Sequence, residues 1–167
     1  GDAFLVLDQQ SIASISETAE TPLLVKKVAV ILFNFADVSC GSFCTTWTPD
    51  KVRQITFTDA LSVNSYFKEV SFGRLELQGK LRPDGDLFGW YTITTPSNPC
   101  NFSRWMTDAR AAATLAGVDL TGYTNIQYIM PHAACPWSGF GSVGGSWSLM
   151  NGTPNIRIQG HELGHNF

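Results

Sequence analysis

The chain has 167 residues, 44% of them hydrophobic and 15% charged, with a net charge of −3 at pH 7. This length and apolar content suffice for one domain with its own core, and the low charged fraction argues against disorder. The charge gives no basic surface for nucleic acid, and the longest apolar run, residues 28–33, is too short for membrane insertion.

The first third of the chain combines a polar segment, a strand and helical spacing. Residues 1–22 are polar before Pro22, and we expect a linker or the remnant of a pro-segment there, ahead of a domain over 23–167. Residues 26–35 contain a continuous apolar run rich in β-branched and aromatic side chains, which predicts a buried strand.

A loop and a helical stretch follow this strand. Residues 37–47 are expected to be a loop, and Thr48-Pro49-Asp50 predicts a helix start. Apolar spacing to residue 71 predicts one broken helix or two short ones.

Strands and helices alternate in the remaining chain. Residues 74–81 and 88–93 predict strands, 102–116 an alanine-rich helix, and 125–130 a further strand. Residues 138–152 are rich in glycine and serine, with a short strand-like piece around 143–149, and Thr153-Pro154 repeats the helix-start pattern. We therefore expect an α+β fold in which a mixed sheet is backed by two long helices.

Four cysteines allow three pairings. A zinc cluster is the competing interpretation, but only Cys40 and Cys44 are closely spaced. We therefore predict two disulfides, Cys40–Cys44 closing a short loop and Cys100–Cys135 joining two loops. Together with two glycosylation triplets, at Asn101 and Asn151, these bonds favour a secreted, extracellular protein.

The last seven residues, HELGHNF, contain the pattern HExxH. On a helix, His161 and His165 lie on one face and can bind one zinc ion, while Glu162 reaches a water at the metal. Zinc lowers the pKa of such a water to about 7, and a nearby carboxylate can then take its proton. The pattern indicates a zinc hydrolase that attacks peptide carbonyls, with Glu162 as the general base.

A catalytic zinc takes three protein ligands, and the sequence supplies two. In the metzincin pattern HExxHxxGxxH, the glycine would follow directly after Phe167 and the third histidine would lie four residues beyond the chain end. We therefore expect a catalytic domain that is incomplete at its C-terminus. His132 is the other histidine, and we expect it in a loop near Cys135 rather than at the metal.

Three runs of residues resemble the gametolysin-type metallopeptidases, which are metzincins. They are FKEVSFGRL at 67–75, GFGSVGGSW at 139–147 and the terminal HELGHNF. The resemblance covers residues 26–167 and implies a zinc endopeptidase with a metzincin-like N-terminal subdomain, a twisted mixed sheet and an edge strand above the active-site cleft. It also implies His161 and His165 as ligands and Glu162 as the base.

The glycine-rich run before the last helix has two interpretations. Residues 143–147 could form an edge strand that binds an extended peptide through main-chain hydrogen bonds, or they could be a plain loop. We favour the strand, because several of these side chains have strand preference. The predicted substrate-binding residues are Val143, Gly144, Gly145, Ser146 and Trp147.

Three functions remain open at this stage. The leading one is a secreted zinc endopeptidase acting on protein or peptide substrates as a monomer. The second is a non-catalytic binding or adhesion module derived from a protease domain, and the third is a zinc peptidase whose last ligand is a downstream glutamate. The residues that follow Phe167 in the parent gene would separate them, since Gly-x-x-His supports the first, a later glutamate on a second helix supports the third, and neither of these supports the second.

Overall fold

A computed structural model describes residues 23–167, so the predicted linker at 1–22 lies outside the described residues. The described part forms six strands, five α-helices and one π-helical turn at Gln54–Thr58. The strands are β1 (Leu24–Phe35), β2 (Leu75–Gln78), β3 (Asp86–Ile93), β4 (Asn125–Met130), β5 (Gly139–Gly141) and β6 (Trp147–Asn151). The helices are α1 (Gly41–Thr46), α2 (Pro49–Arg53), α3 (Val63–Val70), α4 (Phe102–Leu115) and α5 (Ile156–Gly164).

Strand β1 lies in the middle of the sheet. It pairs in parallel with β2 and then β3 along one side and with β4 along the other, and β6 and β5 continue the sheet beyond β4. Only the β5–β6 pairing is antiparallel among these strands, which makes the sheet mixed. Because both faces of β1 are covered, its central residues are apolar at every position, and Val28 to Phe33 are fully buried.

Helices cover both faces of the sheet. Helix α4 packs on one face, where Trp105 is fully buried and its indole N–H donates to the Pro96 carbonyl at 2.8 Å. Helices α2, α3 and α5 pack on the other face, and Leu163 of α5 is fully buried there. Burial of one such large apolar side chain contributes about 1.5–3 kcal/mol. The predicted mixed sheet with backing helices is confirmed.

One local prediction changes in the structure, and one open alternative is decided. The loop predicted at 37–47 contains the short helix α1. The stretch to residue 71 forms two short helices, α2 and α3, separated by the π-helical turn, which is one of the two predicted alternatives. Ser62 begins α3, since its hydroxyl accepts the Ser65 N–H while the Ser65 hydroxyl accepts the Ser62 N–H. This reciprocal cap explains why the helical spacing restarts at Val63 instead of continuing.

The four cysteines form the two disulfides that the spacing predicted. Cys40 and Cys44 join the ends of one helical turn with a Cα–Cα distance of 5.6 Å. Cys100 and Cys135 join the start of α4 to the loop after β4, with a Cα–Cα distance of 4.8 Å. Both distances lie within the usual range for a disulfide. Among residues 23–167, no helix has the length and hydropathy that spanning a bilayer requires.

Candidate metal centre

Helix α5 carries the HExxH residues and is fixed at both ends. The Asn155 side chain begins it by accepting the Ile158 N–H at 3.0 Å, two residues later than the predicted start at Thr153-Pro154. Asparagine is among the preferred residues for this position. At the other end, the His165 N–H donates to the His161 carbonyl at 3.3 Å. The two histidines are therefore separated by one helical turn.

The structure brings His161, Glu162 and His165 together. The imidazole centroids are 4.8 Å apart, and one ligand atom from each of the three residues lies within 4.8 Å of the others. Both histidines are exposed, whereas Glu162 is only 9% exposed. Imidazole nitrogens suit zinc as ligands, and the carboxylate beside them can reach a water at the metal. His132 does not belong to this group, and it lies in the loop after β4.

The buried side of α5 holds the exposed side in a fixed orientation. Leu163 is fully buried against the α3 and α2 side of the core. Gln159 is also fully buried, and its Oε1 accepts the Thr56 hydroxyl at 2.9 Å. Because a rotation of α5 would break this buried hydrogen bond and expose Leu163, the two histidines are held toward solvent.

Strand β5 forms the edge of the sheet against α5, and its glycines face the helix. A Cβ atom added at Gly139 would lie 2.6 Å from Glu162 Cγ and 2.9 Å from Glu162 Oε1. At Gly141 an added Cβ would collide with the Glu162 backbone. Only glycine at both positions allows the strand to approach this closely. The sequence analysis missed this contact, although glycines at alternate strand positions indicate a close neighbour on one face.

A cleft of about 960 Å³ lies beside the two metal-motif residues His161 and Glu162. Its floor is the exposed side of α5, and its wall comes from the start of β5 and from α3. The lining residues are Tyr66, Ser138, Gly139, Asn155, Ile156, Arg157, Ile158, His161 and Glu162. The candidate metal ligand and the candidate base therefore open into a space large enough for part of a peptide.

Comparison with known proteins agrees with this geometry. A model of the gametolysin peptidase M11 family matches residues 27–167, which include the sheet, α5 and the HExxH residues. The chain belongs to the gametolysin peptidase M11 family. This match confirms the resemblance that the sequence runs carry, and the family is one of metallopeptidases. A comparison with curated proteins gives no match.

The edge strand of this peptidase differs from the predicted one. The prediction of a strand over 143–147 is wrong for Val143, Gly144, Gly145 and Ser146, which form the turn between β5 and β6. The physical reason is the backbone of Gly144, whose φ of +62° suits a tight turn and not a strand. The substrate-binding role of these residues remains a prediction.

Trp147 begins β6, which lies between β4 and β5 and not at the sheet edge. Its indole packs against Phe140 and Phe102, with ring centroids 5.6 and 6.3 Å away, on the face that α4 covers. Trp147 therefore lies on the opposite face from the candidate metal ligands. The role of Trp147 in substrate binding remains a prediction.

The β5–β6 turn contacts the end of α5, next to the candidate metal ligand His165. The Gly144 N–H donates to the His165 carbonyl at 2.8 Å. The neighbouring Asn166 amide donates to the Ser142 and Trp147 carbonyls at 2.8 and 3.0 Å, and its Oδ1 accepts from Asn125 at 3.2 Å. These bonds fasten the end of α5 to the β5–β6 turn. Sequence analysis did not identify Asn166, because an asparagine after a helix is usually a simple cap.

Proposed function

We propose that this protein is a secreted zinc endopeptidase that hydrolyses peptide bonds in protein or peptide substrates. The grouping of His161, Glu162 and His165 at an open cleft is the single observation that carries the proposal. Membership in a peptidase family supports peptide hydrolysis. The two disulfides support a site of action outside the cell, where such bonds persist.

His161 and His165 would hold the zinc ion. Both side chains are exposed on one face of a helix whose opposite face is locked in the core, so their nitrogens are free to coordinate. The metzincin spacing predicts the remaining ligand to be a histidine four residues after Phe167. When bound, zinc would lower the pKa of a water to about 7 and polarise the scissile carbonyl.

Glu162 would act as the general base and then as the general acid. Its carboxylate would accept a proton from the attacking water and deliver it to the leaving amine. The contact with β5 restricts the positions that this side chain can adopt, since Gly139 leaves no free space beside Glu162 Cγ. A base held in one position loses less entropy in the transition state than a mobile one.

The proposal is tested on the full chain by assaying hydrolysis of a quenched fluorescent peptide with zinc and after chelation. Glu162→Ala is expected to retain the fold and the bound zinc while losing turnover by at least about 10²-fold, the low end of what a general base contributes. Hydrolysis by Glu162→Ala at the unsubstituted rate would show that Glu162 is not the base.

Metal binding needs its own measurement. His161→Ala is expected to lower the zinc content measured by atomic absorption, whereas His132→Ala, a matched change at an exposed loop histidine outside the group, is expected to leave it unchanged. Equal zinc content in the two variants would remove His161 from the ligand set. Zinc binding without any hydrolysis by the protein with all three ligands present would favour the binding-module alternative.

A further inference from the structure

The cleft beside the candidate metal centre contains a cation that the proposed mechanism does not use. Arg157 lies in the first turn of α5, four residues before His161, and it lines the same cleft. Residues four apart on a helix lie on one face, so the guanidinium side chain and the imidazole share the exposed side of α5.

Arg157 has no acidic partner among the ion pairs of residues 23–167. Glu162 is the one carboxylate of the described residues that lines the cleft, and the proposed mechanism assigns it to the water. Apart from the candidate ligand His161, the other polar side chains of the lining are hydroxyl and amide groups, and the Asn155 side chain is already used as the helix cap. The positive end of the α5 dipole adds to the same sign of potential. The free cation therefore faces the space that a substrate would fill.

We propose that Arg157 makes this cleft selective for peptides with an acidic side chain close to the scissile bond. The inference rests on the proposed function, because it deepens the choice of substrate at the same site. A guanidinium binds a carboxylate through two parallel hydrogen bonds, which favours Asp and Glu over their amides. One helical turn is 5.4 Å long and an extended peptide advances about 3.3 Å per residue, so the acidic residue would lie one or two residues from the cleaved bond.

The test compares matched peptides that carry Glu, Gln or Lys at the two positions on either side of the cleaved bond. In the full, zinc-loaded chain, kcat/KM for the best-placed Glu peptide is expected to exceed that of its Gln counterpart by about tenfold, as for a charged hydrogen-bonded pair. Arg157→Gln is expected to remove this preference, and Arg157→Glu to reverse it in favour of Lys.

Arg110→Gln serves as the matched control. Arg110 is also exposed and has no partner in the ion pairs of residues 23–167, but it lies on α4, on the other face of the sheet. Its substitution removes the same charge and is expected to keep the tenfold preference. Equal kcat/KM for Glu, Gln and Lys peptides in the unsubstituted protein, or loss of the preference in Arg110→Gln, would overturn the inference.

A binding measurement separates the failure of this inference from the failure of the proposed function. Zinc-loaded Glu162→Ala is titrated into fluorescent Glu and Gln peptides and followed by anisotropy. Tighter binding of the Glu peptide that disappears in Glu162→Ala/Arg157→Gln supports the role of Arg157 even if no peptide is hydrolysed. Equal affinity for both peptides in Glu162→Ala refutes it, even if the unsubstituted protein is an active peptidase.

Discussion

The substitution Gly139→Ala tests whether strand β5 fixes the catalytic carboxylate. The backbone of Gly139 has no left-handed φ, so the added methyl group introduces no backbone strain. The new Cβ would lie 2.6 Å from Glu162 Cγ and 2.7 Å from Ile158 Cγ2, whereas ordinary contacts begin at 3.4 Å. The methyl group therefore acts only through the side chains that it meets.

The shortfall between 2.6 and 3.4 Å requires the Glu162 side chain to move by about 0.8 Å. Misplacement of a reacting group by about 1 Å lowers rates by about 10²-fold, and a methyl group inserted in a packed contact costs about 1–3 kcal/mol of stability. We therefore expect kcat of Gly139→Ala to fall by about 10²-fold. Zinc content is expected to stay unchanged, because the three atoms nearest to the added Cβ belong to Glu162 and Ile158 and not to either histidine.

The assay combines steady-state hydrolysis, zinc analysis and urea unfolding. The stability loss is expected to shrink in the background of Glu162→Ala, where the nearest colliding atom is absent. Full activity of Gly139→Ala would refute the argument that β5 positions the carboxylate. The same stability loss in both backgrounds would show that the methyl group is accommodated without touching Glu162.

Three further changes test the supports of the fold and the site. Asn166→Ala removes partly buried hydrogen bonds to the Ser142 and Trp147 carbonyls and is expected to lower the free energy of unfolding by about 2 kcal/mol and to weaken zinc affinity; an unchanged affinity would argue against its positioning role. Replacing Cys100 and Cys135 by serine removes a disulfide between cysteines 35 residues apart and is expected to lower the free energy of unfolding by about 4 kcal/mol, measured with urea. The same change at Cys40 and Cys44, which are four residues apart, is expected to lower it by about 2 kcal/mol. Burial and a hydrogen bond to Asp86 raise the pKa of Tyr123. Its contribution to the free energy of unfolding is therefore fully present below pH 10 and is lost as the pH rises further. Tyr123→Phe should show a shallower decline above pH 10, and identical pH profiles would contradict this assignment.

Much of the fold follows from patterns that have one interpretation. An apolar run rich in β-branched residues such as Val28 to Phe33 favours a strand covered on both faces, and in the structure it lies in the middle of the sheet. The alternation of strands and helices predicted the mixed sheet correctly. The cysteine spacing predicted both disulfides, because Cys40 and Cys44 are close enough in sequence to leave the other two for each other.

The candidate site was predicted less completely. The HExxH pattern identified His161, Glu162 and His165 because the helical period alone brings them together. The edge strand was misplaced, because glycines at 139, 141, 144 and 145 are equally compatible with a strand and with a turn when only the sequence is considered. Contact with Glu162 distinguishes the strand glycines, and a positive φ distinguishes Gly144. Both are tertiary properties that no local pattern contains.

The order of pairing around β1 has a consequence for how this protein folds. Val28 pairs with Asn125, a partner almost a hundred residues away, and every pairing of β1 is parallel. Contacts between such distant segments form slowly because a long loop must close first. During synthesis, the most apolar strand would therefore emerge well before its neighbour β4 and remain open to association with other chains. Efficient production of this protein should consequently depend on dilution or chaperones that shield β1 during that interval.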